Sequence, residues 1–141
     1  MKLEEILETM EFDAVVDSTA LDRESLNIPK LHSKWLKIYA EEKRLLGRLK
    51  GQLTTLVQQK YEYYSGKAPA KVYKEKPFHL KLLKSDVEKY IEADEDVQRI
   101  AQGIDIQEEK IYVISEFIRG INQRSFNIKN AIEYLRWTGG G

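Results

Sequence analysis

A short segment near the middle of the chain combines cations and aromatic rings at a spacing that suits nucleic acid. Lys60 and Tyr64 are four residues apart, so on a helix they share one face, and Tyr63 lies beside them. An ammonium group can pair with a phosphate while a ring stacks on a base, and stacking contributes about 1–3 kcal/mol per base. The alternative is that the two tyrosines pack at a helix end. The sequence alone leaves both roles open for the two rings.

Lysines continue beyond this segment and extend the cationic track. Charged loop side chains are usually only solvated, but Tyr73 and Phe78 lie among these lysines, and this interleaving favours binding. Arg124 belongs to a smaller basic patch near the C-terminus, which could contact DNA or meet an acidic stretch of a neighbouring copy. The candidate DNA-binding residues are Lys60, Tyr63, Tyr64, Lys67, Lys71, Lys74, Lys76 and Arg124.

The charges of the chain are sorted into blocks that the overall balance conceals. The formal net charge is zero, yet residues 31–84 carry thirteen Lys or Arg against four Asp or Glu, a net of +9. Residues 1–30 and 85–116 are acidic, with nets of −5 and −7, and residues 117–141 carry +3. A block this basic attracts polyanions. The acidic blocks could shield it until a ligand displaces them.

The residue types that most enzymes need are scarce. The chain has no cysteine, and its two histidines, His32 and His79, are far apart in sequence. A thiolate metal site or a histidine-based catalytic triad is therefore not expected, and no glycine-rich phosphate loop with the required spacing occurs. We interpret Asp94 and Asp96 as acids at a helix start rather than as a cation site. We predict no catalytic residue, no metal, no cofactor and no enzymatic activity.

Helices must position these residues, and the apolar spacing predicts several. Apolar residues spaced by three and four predict a helix from Leu3 to Met10 and a long one from about Lys30 to Tyr64. Between them, Asp17-Ser18-Thr19 offers N-cap oxygens for a short helix that carries Leu21 and Leu26. Asn27 to Pro29 is either a break or the start of the long helix, and Ser65-Gly66 ends it. A helix of that length spans roughly 50 Å. Its apolar stripe needs a long partner helix or another copy of the chain.

The second half of the chain repeats this pattern. We predict a loop from Lys67 to Lys84, which could be mobile without a ligand, and a capping box at Ser85 to Glu88 that starts a helix. Ala93-Asp94 should bend or restart the chain. A second apolar stripe follows as far as Ile121, and Asn122 to Ser125 could bend the chain before a last helix.

Together these elements predict an all-α domain with long antiparallel helices and short flanking helices. No strand alternation interrupts the helical patterns, and Trp35 on the first stripe is expected in the core. No apolar run approaches the roughly 20 residues that span a bilayer. The acidic first residues are unlike a signal peptide. We therefore expect a soluble, intracellular protein without membrane contact.

Several short motifs, taken in order, resemble the UvsY family of recombination mediators of T-even-like phages. They are Asp17-Ser18-Thr19 with Leu21, Ser33-Lys34-Trp35-Leu36, Tyr63-Tyr64-Ser65-Gly66, Lys84-Ser85 followed by Ala93-Asp94 and Asp96-Val97, and Arg124-Ser125-Phe126 with Ile128-Lys129. Each motif is common by itself, but their order and spacing match the family over nearly the whole chain.

The resemblance implies a non-enzymatic protein that forms a ring-like homo-oligomer and binds single-stranded DNA in the cytoplasm of the bacterial host. It implies loading of a RecA-like phage recombinase onto strands coated by the phage single-stranded DNA-binding protein, in recombination, repair and recombination-dependent replication. In the family, two basic residues before the Tyr-Tyr-Ser-Gly element contribute to DNA binding. The matching positions are Gln58 and Lys60, of which only Lys60 is basic. We therefore expect the contact to have shifted toward the four lysines at positions 67, 71, 74 and 76.

The family also assembles through its C-terminal part. Here that part, residues 85–141, contains the second apolar stripe, and residues 1–84 form the predicted DNA-binding part of the domain. The candidate oligomerisation residues are Ile111, Ile114, Ile118, Phe126, Ile132, Leu135 and Trp137. One alternative is a structural helical oligomer or scaffold without intrinsic DNA binding. Another is a duplex DNA-binding protein, against which the absence of a helix-turn-helix spacing argues.

Overall fold

The computed structural model describes residues 1–139, and within them the chain forms helices and no β-strand. The helices are α1 (Leu3–Ala14), α2 (Leu21–Tyr64), α3 (Ala70–Glu75), α4 (Lys84–Glu92) and α5 (Glu95–Gly139). The prediction of an all-α fold with two long helices is confirmed. No helix in residues 1–139 combines the length and the apolar character that crossing a bilayer requires.

The helices build two compact units. Unit 1 consists of Met1–Lys43 together with the chain from Glu109 onward, and unit 2 consists of Arg44–Glu108. Both long helices contribute residues to each unit. The predicted functional division into residues 1–84 and 85–141 stays a prediction, and the last two residues of its second part lie outside the described residues.

In unit 1 the first part of α2 packs on the second part of α5. Trp35 is fully buried, as predicted, and its ring centroid lies 4.8 Å from that of Phe117. The helix α1 adds Ile6 to the same core. Further along α2, the Glu42 carboxylate pairs with Lys110 Nζ at 2.8 Å. Later residues of α2 thus meet earlier residues of α5, so the two helices are antiparallel in this unit.

In unit 2 the end of α2 packs against α4 and the start of α5. The buried residues are Val87, Ile91 and Val97, and the residues packed against them are Leu53, Leu56, Val57, Tyr61, Tyr64 and Leu82. Lys50 Nζ lies 3.5 Å from Glu108 Oε1, while Lys60 Nζ lies 2.9 Å from Asp96 Oδ2. The order of these pairs shows that α2 and α5 are antiparallel here as well.

A predicted interruption near Pro29 is absent. The helix α2 runs unbroken from Leu21 to Tyr64 with Pro29 inside it, although a proline removes one backbone hydrogen bond and crowds the preceding turn. Leu31 is buried in the core of unit 1, and Ile28 packs against that core. The burial of these neighbours stabilises the helix through the proline, so the short helix predicted after Asp17 is the first part of α2.

The helix α5 also passes without interruption through residues 122–125, where the sequence suggested a bend. Ile121 and Ile128 are both buried, with 1% and 3% of their surface exposed. They are seven residues apart, which is two helical turns, so they lie on the same face. The apolar face therefore continues across the polar stretch, and the predicted last helix is part of α5.

The predicted loop from Lys67 to Lys84 contains a short helix, α3, which the sequence analysis missed because it lacks an apolar stripe. The helix predicted after this loop is confirmed as α4. It begins at Lys84, with Leu83 at the N-cap and no side-chain capping bond. The capping box predicted at Ser85 to Glu88 does not form, since the helix has already started one residue earlier.

Gly66 ends α2 as predicted. Its φ of +77° is in the left-handed region that glycine adopts without steric cost. The Lys67 N–H donates to the Glu62 carbonyl at 2.8 Å, and the Gly66 N–H donates to the Tyr63 carbonyl at 3.2 Å. These two bonds form a Schellman motif. The lysine-rich segment therefore begins directly at the end of α2.

Candidate nucleic-acid interface

The chain turns between α4 and α5 at Asp94, and this residue organises the predicted site. Asp94 Oδ1 accepts the N–H groups of Asp96 at 2.9 Å and Val97 at 3.2 Å, and so caps α5. Asp94 Oδ2 accepts the Tyr64 hydroxyl at 2.6 Å and lies 3.2 Å from Lys60 Nζ. The interpretation of these acids as helix-start residues is confirmed. Within residues 1–139, no group of three or more acidic or histidine side chains could hold a metal ion.

Lys60, the first candidate cation, is held by two carboxylates. Besides Asp94, it contacts Asp96 Oδ2 at 2.9 Å. Only 12% of the Lys60 side chain is exposed, against 4% for Asp94 and 42% for Asp96. Lys60 Nζ also lies 5.9 Å from the centroid of the Tyr63 ring. The charge of Lys60 is therefore compensated within unit 2, by one buried and one exposed carboxylate.

These contacts shift the pKa values of the groups involved. Burial alone would raise the pKa of the Asp94 carboxyl, but hydrogen bonds from Tyr64, the Val97 N–H and Lys60 outweigh it and lower that pKa. The hydrogen bond from Lys60 lowers the pKa of Asp96. Burial opposes the charge of Lys60, yet its hydrogen bonds to the two carboxylates raise its pKa. Burial and the bond to Asp94 raise the pKa of Tyr64. At neutral pH the cluster thus holds two carboxylates, one ammonium group and a neutral phenol.

Both candidate tyrosines belong to an aromatic cluster. Tyr63 is 7% exposed, and its ring stacks on Tyr73 with centroids 5.4 Å apart and planes 17° apart. Tyr64 meets Phe78 edge to face at 5.2 Å and contacts Tyr90 at 5.6 Å. The packing role therefore describes both rings in this structure. A base could stack on the buried Tyr63 ring only by displacing a neighbour such as Tyr73, whereas Tyr64 is partly exposed; a DNA contact of either ring stays a prediction.

Tyr73 ties α3 to the end of α2, a role that the sequence analysis missed. Its hydroxyl donates to the Tyr63 carbonyl at 2.7 Å and accepts the Ala68 N–H at 3.3 Å. The Tyr63 hydroxyl donates in turn to the Lys76 carbonyl at 2.9 Å. Bonds on both sides of α3 therefore hold the lysine-rich segment in place. The sequence signal was present only as an aromatic residue between lysines.

The four lysines of this segment point their charges into solvent. Lys67, Lys71, Lys74 and Lys76 are all exposed. None of them forms an ion pair with another residue in 1–139. Lys71 and Lys74 are three residues apart on α3 and share a face. Of the four lysines, Lys76 lines a groove of about 570 Å³, together with Lys60 and Asp96.

Arg124 belongs to unit 1, where it has a structural partner. Its Nη2 donates to the carbonyl oxygen of Asp13 at 2.7 Å. This carbonyl is among the last four of α1, which have no partner within the helix. The Asp13 carboxylate accepts from Trp35 Nε1 at 2.9 Å and from Lys34 Nζ at 2.7 Å. Arg124 thus secures the end of α1, and its predicted DNA contact stays a prediction.

The candidate oligomerisation residues differ in exposure. Ile114 is fully buried in the core of unit 1, and Ile111 and Ile118 are partly buried. The exposed members are Phe126 (65%), Ile132 (36%), Leu135 (52%) and Trp137 (83%). These four side chains are available for contact with another chain, although Leu135 lies about half a turn round α5 from Phe126 and Trp137. The available part of the predicted surface therefore lies near the C-terminal end of α5.

Comparison with known proteins identifies the family. Residues 9–141 match the family described as "Recombination, repair and ssDNA binding protein UvsY". The chain belongs to the UvsY family. One UvsY relative, "Recombination protein uvsY" of Enterobacteria phage T4, is 27% identical over 130 residues, which are 92% of each protein.

Solved structures of a UvsY protein have the same fold. The crystal structure of the bacteriophage T4 recombination mediator protein UvsY in lattice type II matches with a TM-score of 0.84 at 27% identity. That match covers 100% of this chain and 99% of the other. The lattice type IV structure matches with a TM-score of 0.80 at 26% identity and covers 99% of both chains. The resemblance read from short motifs is therefore confirmed over the whole fold.

Proposed function

We propose that this UvsY-family protein is a recombination mediator that binds single-stranded DNA through the exposed lysines between Lys67 and Lys76. The observation that carries the proposal is a set of solvent-facing cations on a segment that Tyr63 and Tyr73 hold against α2. A segment already in place loses less conformational entropy when it binds a ligand. The family description, which names recombination, repair and single-stranded DNA binding, supports the same function.

The binding energy comes mainly from counterion release. A single strand carries condensed counterions, and each phosphate that a lysine neutralises steepens the dependence of log K on log salt by about 0.7. The proposed contacts are between lysine ammonium groups and backbone phosphates, which are the same for every base, so binding is expected to be largely independent of sequence. Such binding suits a mediator, which must act wherever a strand is exposed.

Loading of a recombinase is the finer part of the proposal. A protein that grips the strand at several points can bend it, which weakens the hold of the phage single-stranded DNA-binding protein and presents the strand to a RecA-like phage recombinase. The T4 relatives, described as a recombination protein and a recombination mediator, support this role. It requires no catalytic residue, metal or cofactor.

We also propose that the exposed apolar residues near the end of α5 assemble the chain into a ring-like homo-oligomer. Phe126, Leu135 and Trp137 are more than half exposed, and burial of each such side chain contributes about 1.5–3 kcal/mol. A head-to-tail contact that closes on itself generates a ring. Several subunits then hold one strand, so modest contacts multiply through effective concentration.

The test is fluorescence anisotropy of a labelled single-stranded oligonucleotide across a salt series, with light scattering on the same sample. Wild-type protein should bind as a large oligomer. Replacing Lys67, Lys71, Lys74 and Lys76 together by alanine should reduce affinity by roughly two orders of magnitude and the salt slope by about 3. The oligomer should keep its size.

A matched control removes the same total charge elsewhere. It replaces four other exposed lysines by alanine, namely Lys30, Lys37, Lys43 and Lys129. The control should retain most of the affinity and the salt slope. If the four segment lysines are dispensable while Lys60→Ala abolishes binding, the proposed interface is wrong. An assembled particle that ignores DNA at low salt would instead favour the scaffold alternative.

A further inference from the structure

Next to the proposed DNA-binding lysines, a carboxylate is bound to Lys60, a further cation with which a phosphate could pair. Asp96 Oδ2 lies 2.9 Å from Lys60 Nζ, and both residues line the groove of about 570 Å³ together with Lys76. The Asp96 side chain is 42% exposed. It is the outer partner of Lys60, and water and dissolved anions can reach it.

The inner partner, Asp94, is held quite differently. Its side chain is 4% exposed. One carboxylate oxygen caps the first turn of α5, and the other accepts the Tyr64 hydroxyl. Removing this carboxylate from Lys60 would leave buried donors without acceptors, which costs free energy. Asp94 is therefore a fixed partner of Lys60.

The Asp96 carboxylate, in the described part of the chain, neither caps a helix nor accepts from a buried phenol, and as an acid in the first turn of α5 it contributes only modestly to the stability of that helix. Its carboxylate contacts Lys60 and, at 3.4 Å, the guanidinium of Arg99, whose side chain is 75% exposed. Both of these partners are cations. A phosphate oxygen could replace the carboxylate oxygen on Lys60 without uncovering a buried polar group, because Lys60 would exchange one anion for another.

We propose that Asp96 sets the DNA affinity of this site by competing with a backbone phosphate for Lys60. The inference rests on the proposed single-stranded DNA binding. On binding, a phosphate oxygen takes the place of Asp96 Oδ2 at the Lys60 ammonium, the Asp96 side chain turns to solvent, and Asp94 remains. Lys76, which lines the same groove, faces the bound phosphate from the other segment of the site.

The competition predicts that loss of the Asp96 charge strengthens binding. In the wild-type protein, DNA binding replaces the ion pair between Lys60 and Asp96 by one between Lys60 and a phosphate. The displaced Asp96 carboxylate then repels that phosphate. Asp96→Asn and Asp96→Ala remove both costs and leave the Asp94 cap intact. We expect each variant to bind single-stranded DNA about fivefold more tightly at low salt, as removal of one close like charge predicts.

The experiment measures anisotropy of a labelled oligothymidylate with the full chain at low salt. Glu95→Gln is the matched control, because Glu95 is exposed and adjacent to Asp96. This substitution changes the net charge by the same amount as Asp96→Asn. It should change affinity less than twofold. In a Lys60→Gln background, Asp96→Asn should give no more than the control, since the competition needs the Lys60 ammonium. Thermal unfolding and light scattering confirm that each variant is folded and assembled.

The outcomes separate this inference from the proposed function. Tighter binding by both Asp96 variants, absent in the Lys60→Gln background, supports the competition. If the wild-type protein binds and the Asp96 variants behave like Glu95→Gln, Asp96 has no special role and only the competition is overturned. If neither the wild-type protein nor any Asp96 variant binds DNA, the proposed function and the competition fall together.

Discussion

In unit 2, Lys60 and the lysines between Lys67 and Lys76 are close in sequence but differ in their surroundings. Lys60 is 12% exposed and contacts two carboxylates. The lysines between Lys67 and Lys76 are exposed and form no ion pair within residues 1–139. The difference arises across Gly66, where the chain leaves the helix that packs on α5. A lysine before this turn meets the capped start of α5, whereas the lysines after it meet solvent.

The comparison shows that positive charge alone does not identify a DNA contact. A partly buried ammonium group has lost much of its hydration and depends on its buried carboxylate partner, so removal of Asp94 destabilises the fold. An exposed lysine contributes little to stability and can be removed at small cost. We therefore expect substitutions at Lys60 and Asp94 to change stability first, and substitutions at the exposed lysines to change DNA affinity first.

The largest effect should come from Asp94→Ala. This change removes the cap of α5, the acceptor of the Tyr64 hydroxyl and the fixed partner of Lys60. Loss of the cap and of a hydrogen bond to a charged acceptor should lower the free energy of unfolding by about 2–4 kcal/mol at pH 7. Urea denaturation followed by circular dichroism measures it. The control Glu95→Ala, one residue along, should stay within about 0.5 kcal/mol of wild type.

The pH dependence of the unfolding free energies of wild type and Asp94→Ala gives a further check on Asp94. Its folded pKa is lowered, chiefly because its hydrogen bonds outweigh burial. Its stabilising contribution is therefore present above the unfolded carboxyl pKa of about 3.9 and is lost as the pH falls through the lowered folded value. The stability difference between wild type and Asp94→Ala should shrink in that acidic range. A difference that persists unchanged at the lowest pH would contradict the assigned role of the carboxylate.

A smaller effect should come from Tyr73, which holds the exposed lysines in place. Tyr73→Ala removes the ring stacked on Tyr63 and both hydroxyl bonds, so α3 should loosen and affinity for single-stranded DNA should fall about fivefold through the added ordering cost. Tyr73→Phe keeps the ring and loses only the hydroxyl, so its effect should be about twofold. Anisotropy measures the affinity, and hydrogen exchange of the amides between Ala68 and Lys76 measures the loosening.

Tyr112 provides the control for this pair, because it is 64% exposed on α5 in unit 1. Tyr112→Ala should alter neither quantity. If Tyr73→Ala speeds exchange in the segment but leaves DNA affinity unchanged, the lysines do not need a fixed segment. Only exposure and the lack of an ion pair would then distinguish them from Lys60.

Features set by neighbouring residues were predictable from the sequence. Gly66 ends α2 because a left-handed residue is needed there, and Asp94 starts α5 because its side chain accepts the N–H groups two and three residues further on. The unbroken helix at Pro29 and at residues 122–125 was not predictable, since local preference argued for breaks while burial of the flanking apolar residues in the core kept both helices intact. Local rules describe helix ends well, but tertiary packing decides whether a weak break takes effect.

The candidate site also has some features that could be predicted from the sequence and others that could not. The exposed lysines could be named from composition, because exposure is the default for lysine. The pairing of Lys60 with Asp96 could not be predicted, because these residues are 36 positions apart in sequence. They meet only because α2 and α5 pack with these two residues on facing sides. The role of Tyr63 also depended on such contacts, since Tyr73 reaches it only after the turn at Gly66 and the first turn of α3.

The two units also differ in how much chain must close to make them. The bond between Tyr64 and Asp94 spans 30 residues, whereas the bond between Arg124 and Asp13 spans 111. By loop-closure entropy, the longer closure costs about 1 kcal/mol more. Unit 2 is one continuous stretch of chain, so it can form before unit 1, whose two stretches flank it. Pulse-labelled hydrogen exchange should then show protection in α4 before α1, which makes the part of α2 in unit 2 an early element of folding.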